Sequence, residues 1–308
     1  MDWLSLLLIV AGLALFEIVI SVDNAIINAE VLSTMTPKGQ RWFLIWGIII
    51  AVFLVRGLLP WLILWVSTPN LGFLGSFTAS FSSDPAIARA IQDSAPVLLI
   101  GGGTFLVFLF FHWLFLEPKQ YGLRGEAFLE RQGVWFFAIV SVLLVAIVWM
   151  AINVNPLMAL GAVIGSSAFF ISHGFKENAE EAEKRMIVGS AKMSDISKIF
   201  YLEVIDMTFS IDGVLGAFAF TFVIPLILIG NGIGAIVVRQ LTVANIDKVK
   251  RYKYLKNGAM YSIFALGSVM VGHSFGLHIP DWISPVLTFV IIAFFFWKSV
   301  RALKEEEA

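Results

Sequence analysis

The sequence predicts an all-α polytopic membrane protein of about nine transmembrane helices, arranged as an inverted-topology repeat with two acid-bearing, broken helices. Three observations predict it. Hydrophobic residues make up 59% of the 308 and charged residues only 14%, with a mean hydropathy of +0.88, whereas soluble domains carry roughly 25% charged residues. Apolar stretches long enough to cross hydrocarbon, roughly 20 residues each, recur along the chain. Two of these stretches also carry nearly the same acid-rich phrase, Phe16-Glu17-Ile18-Val19-Ile20-Ser21-Val22-Asp23-Asn24 and Glu203-Val204-Ile205-Asp206-Met207-Thr208-Phe209-Ser210-Ile211-Asp212-Gly213.

In chain order the predicted spans are 3–32, 41–66, 96–116, 134–152, 156–173, 199–220, 222–240, 257–276 and 283–300. The first could be taken for a signal peptide, but Asp2 stands where a positive region is usual and Glu17 interrupts the apolar run. It reads as a retained span. Its length suits a tilted or broken helix. Spans 134–152 and 156–173 are joined only by Asn153-Val154-Asn155-Pro156, a tight-turn signal. The Ser/Pro/Asp-rich stretch 67–95 reads as an external loop, and 174–198, with Glu177, Glu180, Glu181 and Glu183 among lysines, as a solvated cytoplasmic linker. The linker divides an N-terminal membrane half, 1–173, from a C-terminal half, 199–308.

Basic residues follow the first, third, fifth, seventh and ninth spans, with Arg239 counted among those after the seventh. The other connections hold only Arg89, beside Asp84 and Asp93. The positive-inside rule then puts the N-terminus outside and the C-terminus in the cytoplasm, most simply of a bacterial inner membrane. On that topology the two motif helices cross in opposite directions, the signature of an inverted repeat with a site near the midplane.

Aligned on Ser-x-Asp, Glu17 falls on Asp206, Ser21 on Ser210 and Asp23 on Asp212, with Glu203 an extra acid one turn earlier. A carboxylate at bilayer depth costs ~2.5–3.5 kcal/mol, so five cost roughly 12–18 kcal/mol before compensation. Something cationic must offset that. Glu17, Ser21, Asn24 and Asn28 recur at helical spacing on one face, while Asp23 is turned about 100° from Asn24. For each aspartate to join its stripe, the helix has to break near Ser-x-Asp, which Gly213 and Gly216 would ease in the second copy.

The donors are all oxygen, so the pattern suits a hard cation: manganese, magnesium or calcium. Arg56 is either an internal counter-charge or a side chain snorkelling to the interface. Gly101-Gly102-Gly103 and Gly230-Asn231-Gly232-Ile233-Gly234 read as close helix packing. There is no cysteine, which excludes disulfides and thiolate metal sites. With a net charge of −1 and no basic arm, nothing points to nucleic acid.

Glu17-x-x-x-Ser21-x-Asp23-Asn24 and Glu203-x-x-Asp206-x-x-Phe209-Ser210-x-Asp212 resemble the paired signature of the TerC-like integral membrane proteins. That family is named after a tellurium-resistance determinant and grouped with LysE-type exporters. The resemblance covers most of the chain. It implies a multi-span transporter fold and, in several members, manganese export. Carried over residue by residue, Glu17, Asp23, Asn24, Glu203, Asp206 and Asp212 become the metal-site residues, supported by Ser21, Ser210, Arg56 and Asn28. The chain departs from the pattern at Gly213, where many relatives carry serine, and in its 67–95 insertion.

The expected function is therefore secondary export of a divalent cation, manganese first, with proton coupling a natural way to balance the remaining charge. The expected partners are the lipid bilayer and the transported ion. No permanently bound cofactor and no enzymatic activity are expected, and homo-oligomerisation stays open. Two alternatives stand beside it: an intramembrane metal- or aspartate-dependent enzyme, and a structural membrane subunit of a metal- or tellurium-resistance complex.

Overall fold

In hydrocarbon every backbone N–H and C=O has to find its partner within the segment, so long apolar runs fold as helices. The computed structural model describes residues 3–47, 49–50, 56–68, 71–79, 85–189, 194–244 and 251–307, and among these the chain is helical with no strand. In order come α1 (Trp3–Ile20), α2 (Val22–Ser33), α3 (Pro37–Trp42), a π-helical turn (Phe43–Gly47), α4 (Arg56–Ser67), α5 (Gly72–Ala79), α6 (Pro85–Leu116) and α7 (Glu126–Arg131). A 3-10 turn (Gly133–Trp135), α8 (Phe136–Val154), α9 (Pro156–Gly189), α10 (Asp195–Ala217), α11 (Ile224–Ala244), α12 (Leu255–Ser274) and α13 (Ile283–Glu307) follow.

Six helices among the described residues are long and apolar enough to cross a membrane: α1, α6, α8, α9, α11 and α13. Each falls on a predicted span. Their outer faces are apolar too; Val142 and Trp149 on α8 are 69% and 72% exposed. The chain is an integral membrane protein. Helices α10 and α12 occupy the predicted ranges 199–220 and 257–276 but fall short of that apolarity, and much of 41–66 lies outside the described residues.

Local chemistry sets the helix boundaries. The α8–α9 turn sits where the Asn-Pro signal placed it: Asn155 Oδ1 accepts from the Leu157 N–H at 2.9 Å, and Pro156 opens α9. Thr36 and Ser194 cap α3 and α10 through their side-chain oxygens. Two expectations need correcting. The 67–95 stretch holds α5 and the first turns of α6, whose 32 residues begin well before the predicted 96. And α10 runs unbroken through Ser210 and Asp212.

The first motif helix does break, at Ser21 (φ −89°, ψ 0°), although backbone bonds from Ser21 N to Glu17 O (3.1 Å) and Ala25 N to Ser21 O (2.9 Å) carry the chain across. In α10 the Ser210 hydroxyl donates instead to the Asp206 carbonyl at 2.6 Å, a local bond that a continuous helix accommodates.

Glycines let the helices approach closely. A Cβ at Gly161 (α9) would lie 2.7 Å from the Val97 carbonyl oxygen of α6, and one at Gly101 2.9 Å from the Gly161 carbonyl oxygen. Both partners are backbone and cannot move aside. Gly161→Leu is therefore expected to lower stability by at least ~1–3 kcal/mol, whereas Gly174→Leu, with nothing within 4 Å of the added Cβ, leaves it unchanged. Thermal unfolding in detergent checks the pair. Behind this seam the interior is aromatic, with Phe105, Phe108, Trp113, Phe136 and Phe169 all buried.

Candidate metal centre

The two motif helices pack against each other in opposite directions. Gly12 approaches Phe220, Phe16 approaches Gly216, Glu17 lies against Gly213, Asn28 meets Asp206, Thr34 meets Lys198 and Thr36 meets Asp195. Partner numbers fall as the first number rises, so the α1–α2 pair runs antiparallel to α10. The same register carries Ser21 past Ser210, so the two copies of the motif cross at their shared serine.

On one side of the crossing stands Glu17, 1% exposed in the last turn of the apolar helix α1. The Ser21 hydroxyl donates to its Oε1 at 2.7 Å. Two glycines roof it: a Cβ on Gly213 would lie 3.0 Å from Glu17 Oε2, and one on Gly234 of α11 2.6 Å from Glu17 Cβ. The glycine at 213, a departure from the resembled pattern, thus serves close approach to the opposing carboxylate and not unwinding.

On the other side lie Glu203 and Asp206, both buried, with Arg239 of α11 between them. Arg239 Nη2 donates to Asp206 Oδ2 at 2.9 Å and to Glu203 Oε1 at 3.3 Å, and Nη1 donates to the Phe43 carbonyl at 2.9 Å. Its guanidinium also stacks 4.0 Å above the Phe43 ring. Asn28 Nδ2 donates to Asp206 Oδ1 at 3.2 Å and ties α2 to this group. Gly47 closes the arrangement, because a side chain there would run into Glu203 and Arg239.

The counter-charge at this end is Arg239. In the sequence it reads as one of the cytoplasmic basic residues after a span; in the structure it is 7% exposed within α11. The arginine proposed for the role, Arg56, opens α4, and its side chain lies outside the described residues, as do those of Asp23 and Asn24 on α2. Asp212 is half-buried in α10, two residues beyond the buried Ser210. Of the ten predicted site and supporting residues, the structure brings Glu17 to Ser21 and Asn28 to Asp206, with Glu203 on the same arginine as Asp206. Among the described residues no three acid or histidine side chains are placed to hold a metal.

Two further buried polar residues were not assigned to a site from the sequence. Asn231 of α11, one turn before Gly234, is 0% exposed, and among the described residues neither its Oδ1 nor its Nδ2 has a hydrogen-bond partner. In a low-dielectric interior that costs ~1–3 kcal/mol. Read from the sequence as part of a glycine-rich packing run, it gave no other signal. Glu126 is the opposite case. It is 2% exposed and accepts from the Gly122 and Leu123 N–H groups (2.7 and 3.0 Å), from Asn257 Nδ2 (3.0 Å) and from the Tyr261 hydroxyl (3.1 Å). This acid is a structural staple between the 117–125 connection and α12.

The family described as a protein of unknown function (DUF475) matches residues 22–306, nearly the whole chain. No curated protein and no solved structure matches it.

Proposed function

The chain belongs to the DUF475 family, and for it we propose secondary transport: export of a divalent cation, manganese before magnesium or calcium, through a site formed where the two acid-bearing helices cross. The observation that carries this reading is Glu17. A carboxylate fully buried in the last turn of the apolar helix α1, next to the break at Ser21, roofed by glycines of two other helices and facing the antiparallel copy of its own motif, is what an intramembrane ion site at a broken helix requires. The ion would be held by Glu17, Asp23, Asn24 and Asp212, with Ser21 and Ser210 adjoining.

Glu203 and Asp206, paired with Arg239, would set the charge and rigidity of the opposite end of the crossing. The resemblance to the TerC-like exporters supports the same class of cargo. In this reading α10 and α12 also cross the bilayer. With the predicted span 41–66 that gives nine crossings, an external N-terminus, a cytoplasmic C-terminus and an inverted repeat about the shared serines, in a bacterial inner membrane.

The test is metal-specific flux into and out of liposomes holding the purified full-length chain, with manganese, magnesium and calcium compared and a proton gradient imposed or absent. Saturable manganese flux is expected; flux no faster than in protein-free vesicles overturns the proposal, and indifference to the proton gradient removes the coupling. Asn231→Leu separates stability from transport. Replacing an unpartnered amide with an apolar side chain of similar size is expected to raise stability by ~1–3 kcal/mol while flux falls, if the amide serves the passing ion.

The Arg239 ion pair favours a second reading, in which the acids fix helix packing in a structural membrane subunit. In that case unfolding shifts with the acid and arginine variants, and no metal moves.

A further inference from the structure

We propose that the chain binds one anionic glycerophospholipid in a two-part cavity, its acyl chain between α1 and α13 and its phosphate among three lysines. The apolar part has a volume of about 420 Å³ and is lined by Leu15 and Ile18 of α1, Leu241 of α11 and Phe289, Ala293 and Phe296 of α13, among others. The polar part, about 610 Å³, is lined by Lys119, Gln120, Lys253, Lys256 and Asn257. The two meet at Val22, Tyr252 and Leu255, which line both. Each volume falls in the ~300–1,000 Å³ range of small-molecule sites.

The division of chemistry identifies the occupant. A slot lined by aliphatic and aromatic side chains, on a helix face exposed to hydrocarbon, takes an alkyl chain. A basic pocket at the membrane-facing end of the same bundle takes an anionic headgroup. Among the described residues no carboxylate lines the polar part. Glu117 holds Lys256 Nζ at 2.9 Å, Glu130 lies 3.5 Å from Lys119 Nζ and Glu306 pairs with Lys253, so the acids sit behind the lysines and position them.

Lys119 has almost no side-chain exposure and is fixed by the Trp113 and Glu117 carbonyls at 2.8 and 2.9 Å. Burial pushes its ammonium below the ordinary lysine range against the pull of Glu130, and an adjacent phosphate would offset that. Tyr252, whose ring packs 5.0 Å from Phe296, stands at the junction where a glycerol backbone would pass. Val22 and Ile26, on the polar wall, are the neighbours of the Asp23 turn on α2, so the lipid would brace the helix that carries the first motif. This site is independent of whether the chain transports a metal.

The experiment uses the full-length chain, delipidated in detergent and then exchanged into nanodiscs of phosphatidylcholine with phosphatidylglycerol added in steps. Native mass spectrometry counts retained lipid, and thermal unfolding reads its effect. One retained phosphatidylglycerol per chain is expected, preferred about tenfold over phosphatidylcholine. Lys253→Gln with Lys256→Gln should erase the preference. Ala293→Trp, at an exposed position that fills the slot, should abolish retention without altering the fold.

Equal retention of both lipids, or retention untouched by both variants, overturns the proposal. Stabilisation by inorganic phosphate equal to that by phosphatidylglycerol overturns the lipid as source. A dimer that persists with no lipid retained shows that a second copy covers the slot, and also overturns it.

Discussion

Arg239→Ala is expected to lower stability by ~3–5 kcal/mol, the largest single effect in the molecule. The substitution removes one side chain and takes the shared cation from the Glu203 and Asp206 carboxylates, both buried, and the Nη1 donor from the Phe43 carbonyl. Arg239→Lys should recover only part of the loss. An ammonium is a point donor and cannot span two carboxylates and a backbone oxygen while lying flat on the Phe43 ring. Combining Arg239→Met with Asp206→Leu and Glu203→Met removes the charge on both sides and should restore most of the stability, because an apolar substitute for a buried ion group is often neutral. Denaturant or thermal unfolding in detergent reads all three. If Arg239→Ala unfolds like the parent chain, the ion pair does not hold the helices.

Glu17→Gln is expected to separate transport from folding in the opposite sense. The amide keeps the size of the side chain and an oxygen able to accept from the Ser21 hydroxyl, and it removes a charge from a fully buried position, so stability should hold or rise. Interactions of a charged ligand are worth ~1.5–3 kcal/mol, so apparent cation affinity should drop roughly 10- to 100-fold. Asp212→Asn should behave alike. Metal flux and ion-dependent stabilisation, measured on variants shown to insert normally, decide it. A Glu17→Gln chain that moves manganese at the parent rate would make Glu17 a packing group.

What the sequence made legible was the pattern of burial along the chain. The six apolar crossing helices fall on predicted spans because hydrophobicity over 20 residues is a one-dimensional property. The Asn155-Pro156 turn is where it was expected, since both residues act locally. The encounter of the two motif helices was readable from their matching acids, because matched intramembrane charges rarely stand apart.

Arg239 was not legible. A basic residue near the end of an apolar run counts towards orientation in a linear reading, and only the fold shows that α10 turns its acids toward it. Nor was the continuity of α10, since Gly213 and Gly216 weaken a helix in isolation but here admit Glu17 and Phe16. Glu126 drew no reading from the sequence, because its four donors come from two separate parts of the chain. Asn231 was hidden inside a glycine run that explained itself by packing.

Helix α9 has 34 residues, which at ~1.5 Å per residue makes a rod about 50 Å long. The hydrocarbon slab is ~30 Å thick, so roughly the last third of the rod projects into water as a continuation of the same helix. What leaves the first half of the molecule is thus a stiff boom and not a slack tether. Any tilt of α9 within the lipid must swing its far tip through a proportionate arc.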